Sequence, residues 1–357
     1  MSAKSTEPVI QDVFKSALAN VKYPGFDADI LSMDLVLEAK IVDSRAVIKL
    51  RPIAAPPEVR EQLENDIAAA VSGIGGIKEL ELDVPEPPQP KAPSGPKPIP
   101  GVKAVVPVAS GKGGVGKSTV AVNLALGLAG LGLKVGLLDL DLYGPSVPLM
   151  LGLTKVQPED NGDGRIAPVL AQGLKVMSIG FMVGAERALI WRGPILMKAV
   201  KQLLHEVAWE PLDILVLDLP PGTGDVQITM AQEVPIAGAV VVTTPQDVAL
   251  VDAIKAVDMF THTNAPVLGI VENMSYFVCP DCGGRHEIFG HGSVAPLSAR
   301  LGVQFLGEIP LDQSVRAAMD AGTPIIQSDS PAAQAYRDLA AKVLERIKAV
   351  RPELEVA

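Results

Sequence analysis

Apolar residues follow two different rhythms along this chain, and the change comes at a proline-rich stretch. Before it, residues 33–41 and 77–84 alternate apolar and polar positions, the period of a half-buried strand. Residues 45–50 continue that sheet, and residues 9–20 and 58–71 carry helical spacing, so residues 1–84 are predicted to form a small α+β domain. After it, apolar runs at 104–108, 134–138, 214–217, 238–243, 267–271 and 305–309 alternate with helical patterns such as 123–129. Runs without alternation predict strands covered on both faces. Residues 102–357 are therefore expected to be α/β, a mostly parallel sheet with helices on both faces. Tyr336, Leu339, Val343, Ile347 and Val350 recur near helical spacing, a last helix laying one face on this domain.

Residues 85–101 hold so many prolines that neither helix nor sheet is expected, and an extended spacer between the two domains is. The chain of 357 residues is 48% hydrophobic and 20% charged, the composition of a soluble globular protein. Its formal net charge of -10 argues against binding nucleic acid, which wants a basic face. The N-terminus lacks the apolar core of a signal peptide, and no run approaches the ~18 apolar residues of a membrane span. A cytoplasmic protein that binds no membrane is expected.

Gly111-Lys112-Gly113-Gly114-Val115-Gly116-Lys117-Ser118-Thr119 meets the phosphate-cradling pattern G-x-x-x-x-G-K-[ST], with an added lysine near its start. It sits between an apolar strand run and a helical pattern, where backbone N–H groups and the helix dipole face phosphate oxygens together. Lys117 is expected to reach the β- and γ-phosphates, and the Ser118 hydroxyl to ligate magnesium. Asp139 and Asp141 follow the next strand and are candidates for metal-shell and water-orienting roles. A strand-terminal aspartate is also a common turn cap. Asp218 closes another apolar run, where a carboxylate is costly unless a cation meets it, and magnesium is the obvious partner. Gly222 and Gly224 would let the following loop move when the γ-phosphate leaves.

The chain has two cysteines, Cys279 and Cys282, in one C-x-x-C. A redox pair would place the first at a helix N-terminus, yet Gly283-Gly284 follows and no helical pattern begins. An intrachain zinc site would have to recruit His286 and His291, leaving little chain for a tetrahedral cage. A third reading counts thiolates: clusters usually take four, one chain supplies two, and a two-fold dimer supplies four.

Together these residues resemble a family. The loop with Lys112 is similar to the deviant P-loop of the ATPases that include MinD, ArsA and the nitrogenase iron protein. Asp141-Leu-Tyr-Gly-Pro-Ser, Trp191-Arg-Gly-Pro, Asp218-Leu-Pro-Pro-Gly-Thr-Gly-Asp, Thr243-Thr-Pro-Gln, Glu272-Asn-Met-Ser and Cys279-Pro-Asp-Cys282 resemble one branch, the Mrp (ApbC-like) iron-sulfur cluster carriers. The resemblance spans residues 102–327. It implies an ATP-hydrolysing homodimer in which Lys112 reaches the partner's nucleotide and Asp141 orients the attacking water. It also implies adenine contacts from Asn273, Pro310 and Asp312, and a 4Fe-4S cluster bridging the subunits through Cys279 and Cys282.

Residues 1–84 resemble the MIP18-like domain often fused to such carriers, in layout and in fragments such as Tyr23-Pro24-Gly25. Residues 52–58 have no cysteine where that family carries one, so a docking role for partners or clients is expected rather than metal binding. The function expected for the whole chain is delivery of a cluster to apo iron-sulfur proteins, with ATP and magnesium as cofactors. The rival reading is a MinD-like dimerisation switch without a cluster; the cysteine pair and the acidic C-terminus weigh against it.

Overall fold

The computed structural model describes residues 7–53, 55–85, 95–142, 144–182 and 193–353. Two compact units meet in sequence at Pro93 and Ser94. In the first, helices α1 (Glu7–Leu18) and α2 (Pro57–Ser72) accompany strands β1 (Val36–Val42), β2 (Arg45–Leu50) and β3 (Glu79–Asp83). β1 pairs antiparallel with β2, and β2 parallel with β3. Phe14 and Leu18 of α1, Leu63, Ile67 and Val71 of α2, and Ile48 and Leu50 of β2 form one core.

In the second unit the order is β4 (Val102–Ala109), α3 (Lys117–Gly130), β5 (Val135–Asp139), α4 (Val147–Met150), β6 (Val169–Ala171), β7 (Leu174–Ser178), α5 (Ile179–Met182) and α6 (Gly193–His205). Then come β8 (Leu212–Asp218), α7 (Asp225–Glu233), β9 (Ala239–Thr243), α8 (Asp247–His262), β10 (Val267–Val278), β11 (Arg285–His286), α9 (Val294–Leu301), β12 (Phe305–Leu311), α10 (Gln313–Asp320) and α11 (Pro331–Val350). The sheet runs β11-β10-β9-β4-β8-β5-β7-β6, with β12 also on β10. Its pairs are parallel except β6 with β7 and β10 with β11.

Successive side chains of a strand point to opposite faces, and each face is covered. Val106, Val108, Leu137 and Val216 pack against α3 and α11, whereas Val105, Ala109, Leu138 and Leu217 pack against α6, α7 and α8. β5 and β9 are buried along their whole length, in keeping with sequences that are non-polar up to the last residue, Asp139 in β5 and Thr243 in β9.

Three expectations need correction. The spacer does not stay free as far as Gly101: the Lys97 N–H donates to the Glu233 carbonyl at 2.8 Å, and Ile99 is 3% exposed within the core. Proline-rich chain cannot join a ladder, but an apolar side chain inside it still gains by burial. β10 extends well past Val271 to Val278, because its outer half pairs with β11 and β12 instead of β9. Val350 does not complete the face of α11; it is exposed at the helix end, while Tyr336, Leu339, Val343 and Ile347 are buried.

Candidate nucleotide site and cysteine turn

The carboxyl ends of β4, β5 and β8 bring the expected phosphate loop and both strand-ending aspartates together. Gly116 is the N-cap of α3 with φ 80, and α3 has neither a side-chain cap nor an acidic residue in its first turn. Its first N–H groups are thus left for an external acceptor, and the helix dipole favours an anion there. Gly114 also lies in the left-handed region (φ 81). Gly111 is needed for a different reason: a Cβ there would lie 2.0 Å from the Asp252 carbonyl oxygen on α8. Close approach to a helix backbone, not turn geometry, requires that glycine.

Lys117, 6% exposed, extends its ammonium to Asp218 Oδ1 at 2.5 Å, to the Ser118 hydroxyl at 3.2 Å and to Asp141 Oδ2 at 3.6 Å. Asp139 accepts from the Asp141 N–H (3.0 Å), the Val147 N–H (3.3 Å) and the Ser178 hydroxyl (3.0 Å). Its carboxyl is pushed up to about 7, first by burial and then by the Asp218 charge beside it. Burial raises Asp218 as well, against the pull of Lys117 and Ser118. Two carboxylates, Asp218 and Asp141, converge on one ammonium with Asp139 beside them, and the buried Asp218 Oδ2 has no hydrogen-bond partner. An orphaned buried carboxylate oxygen beside the P-loop hydroxyl fits a magnesium ion, a hard cation that takes oxygen ligands. Ser118 and Asp218 are the residues that would hold it.

Other expected residues are placed as follows. Lys112 is exposed, and among the described residues it makes no ion pair. Val115 is buried and its carbonyl accepts from the Asn273 amide at 2.7 Å, so Asn273 braces the loop. Gly113 has room around it, and the Thr119 carbonyl accepts from the buried Asn123 amide. Asp312 caps α10, accepting from the Ser314 N–H and hydroxyl at 2.7 Å each. Pro310 and Asp312 line a cavity of about 320 Å³ with Tyr276, Phe277 and Pro280, and Asn273 is not among its walls. Trp191 and Arg192 lie outside the described residues.

The cysteines sit on a tight turn between β10 and β11. The Cys279 N–H donates to the Gly284 carbonyl and the Gly283 N–H to the Cys279 carbonyl, both at 2.9 Å. Cys279 is half-buried, Cys282 is exposed, and both are free thiols. The backbone N–H of Cys282 and then that of Asp281 hold the Cys279 thiol below its usual range. That favours the thiolate, the form that ligates metal. No helix begins until Val294, so the dipole of a redox motif is missing. The zinc alternative does not assemble either: among the described residues, the group able to hold a cation joins His291 to Glu272 and Glu308, not to the cysteines.

Two contributors were not singled out from the sequence. Ser178 reaches Asp139 because β7 lies beside β5, with Ser178 opposite Asp139. Its signal was the Gln172-Gly173 pair between two short apolar runs, a two-residue hairpin turn whose φ values are 53 and 80. The Gln227 amide donates to the carbonyls of Pro220 (2.7 Å) and Gly222 (3.0 Å), pinning the loop after Asp218.

A glycine loop opening a helix, its lysine, and carboxylates closing the two adjoining strands define a P-loop nucleoside triphosphatase. Residues 101–344 match the model of the ParA family described as NUBPL iron-transfer P-loop NTPase, and the chain belongs to that family. An iron-sulfur cluster carrier protein of Deinococcus radiodurans is 45% identical over 335 residues, covering 93% of this chain and 94% of that one. A solved nucleotide-binding protein of Archaeoglobus fulgidus in complex with ADP, with cobalt found in it, is 42% identical with a TM-score of 0.55, covering 62% of this chain and 87% of that one. The cell division ATPase MinD of Pyrococcus furiosus has a TM-score of 0.52 at 22% identity, covering 68% of this chain and 98% of its own, a likeness of fold alone.

Proposed function

We propose that this protein is an ATP-hydrolysing carrier that holds a 4Fe-4S cluster between two copies of the chain and passes it to apo iron-sulfur proteins. The observation that carries this reading is the turn itself. Two free thiols, one held toward thiolate by backbone N–H groups, sit on a surface turn in a chain with two cysteines. Four thiolates then require a second copy, and a two-fold axis through the turn supplies them.

At the nucleotide, the N–H groups of Gly113 to Thr119 would hold the phosphates, and Lys117 would exchange part of its pairing with Asp218 and Asp141 for phosphate oxygens. Magnesium, when bound, spreads the charge of the β- and γ-phosphates. Asp141 would orient the attacking water, Asp139 would hold Asp141 by its backbone N–H, and Lys112 would extend to the partner's γ-phosphate. Asn273, Pro310 and Asp312 are the proposed adenine contacts. Residues 1–84 are read as a docking domain, 85–101 as the connection and 102–357 as the ATPase and carrier domain.

Anaerobic reconstitution with iron and sulfide tests the proposal. The expected product is a dimer with about two irons per chain and the spectrum of a Cys₄-ligated 4Fe-4S cluster. Cys279→Ala and Cys282→Ala should each abolish assembly and leave nucleotide affinity within about twofold, since neither lies in the loop. One zinc held tightly per monomer would sink the reading.

A further inference from the structure

Strand β10 serves both sites along one stretch of backbone. Its Asn273 amide holds the Val115 carbonyl of the phosphate loop, and its far end opens into the cysteine turn. Between them the strand is interrupted. Met274 has φ 55, in the left-handed region, and the register with β12 shifts between Asn273 and Phe277. Ladder hydrogen bonds alone do not tie the two halves together.

A side-chain network spans the break, and its centre is a carboxylate that nucleotide chemistry leaves unused. Glu272 is fully buried, which is costly for a charged group unless it is well paired. Its Oε1 accepts from the Ser275 hydroxyl (2.5 Å) and the Gly292 N–H (3.3 Å), and its Oε2 from the Val294 N–H (3.1 Å). His291 continues the network, with Nδ1 3.1 Å from the Ser275 hydroxyl and Nε2 3.6 Å from Glu308. Arg285 lies against the same ring, 3.1 Å and 3.3 Å from its two nitrogens, and reaches Glu308 at 3.3 Å. Its guanidinium also covers the face of Tyr276, 3.8 Å from the ring centre. Arg285 pairs with Val278, the residue before Cys279. Glu272, His291 and Glu308 are close enough to hold a cation among them, and the Arg285 guanidinium already supplies that charge.

We propose that Glu272 and Arg285 are positioning residues that, with His291, form a strut across the break in β10, so that nucleotide bound at the loop changes the setting of the two thiols. The proposal deepens the carrier reading and rests on it. Adjacency along one strand does not by itself establish coupling; a measured interaction between the two sites does.

The chain has two cysteines, so iodoacetamide labelling of the full-length, cluster-free, reduced protein reports on this turn alone. Labelling rates are measured by mass with and without a non-hydrolysable ATP analogue and magnesium. In the wild type the nucleotide is expected to change the rate by about fivefold or more, the lower end of ordinary allosteric coupling. Arg285→Ala and Glu272→Gln should still bind the analogue, yet the ratio of the two rates should fall toward one. Arg285→Lys should restore part of it, keeping the charge over Tyr276 without the planar fork. Purely structural damage would alter both rates together and leave the ratio intact. A ratio that persists in both variants, or none in the wild type, overturns the strut. Failure of the wild type to assemble a cluster would instead remove the carrier reading, and the labelling ratio would still decide the coupling.

Discussion

Asp139 and Asp218 end neighbouring strands, paired opposite one another in the β5 and β8 register, and both are buried. Their burial, and after it the repulsion between them, has a pH signature. The Asp139 carboxyl, ordinarily near 3.8, is raised to about 7, so the folded state keeps a proton that the unfolded chain has lost. Stability from this group is complete below about pH 4 and is lost as pH rises toward 7, on the order of a few kcal/mol over the window. Urea unfolding of magnesium-free, nucleotide-free protein between about pH 5.5 and 7 should therefore show stability falling with pH more steeply in the wild type than in Asp139→Asn. Equal slopes would mean that Asp139 is ionised throughout. The residue types at this site were legible in the sequence, but Ser178 was not, because its role depends on which strand lies beside β5.

At the scale of elements, the strand-loop-helix unit from β4 to α3 was readable because each part has its own local code: an apolar run, glycines, then a helical pattern. β6 and β7 were not predicted, being short apolar runs of three and five residues, of which β6 lies at the sheet edge and β7 between it and β5. The spacer shows a similar limit. Proline density marks a region without regular structure, but it does not say where packing resumes, and packing resumes by Lys97. Trypsin should accordingly cut the native chain after Lys91 and spare the bond after Lys97, whose backbone is tied to Glu233 and which precedes a proline. The released C-terminal piece should still hydrolyse ATP. Aggregation of both pieces on cleavage would show that the two units depend on each other for folding.

At the scale of the whole molecule, the exposed Lys112 and the exposed Cys282 are the groups that a second copy would complete. If Lys112 acts on the partner's nucleotide, Lys112→Ala should bind ATP and fail to hydrolyse it. Mixing it with an Asp141→Ala chain then rebuilds one working site, on the Lys112→Ala chain, with its own Asp141 and its partner's lysine. Mixed dimers should turn over at least about tenfold faster than either mutant homodimer, below the 10³ to 10⁵ of other in-trans cations. Turnover no better than the homodimers would place Lys112 outside the reaction.

The sequence by itself determined what depends on neighbours along the chain: the phosphate loop and its helix, the strand-ending aspartates, the cysteine pair and the alternation of strand and helix. Such features are written in short windows, since turn chemistry and burial periodicity act over a few residues. Tertiary structure decided what depends on residues far apart. Asn273 and Val115 meet across 158 positions, and Gly111 is required by a helix more than a hundred residues downstream. Glu272 stands in the sequence as a charge in an apolar run; its partners are Ser275 on the same strand and, about twenty residues on, His291, Gly292 and the start of α9, while β11 and β12 bring Arg285 and Glu308 to that histidine.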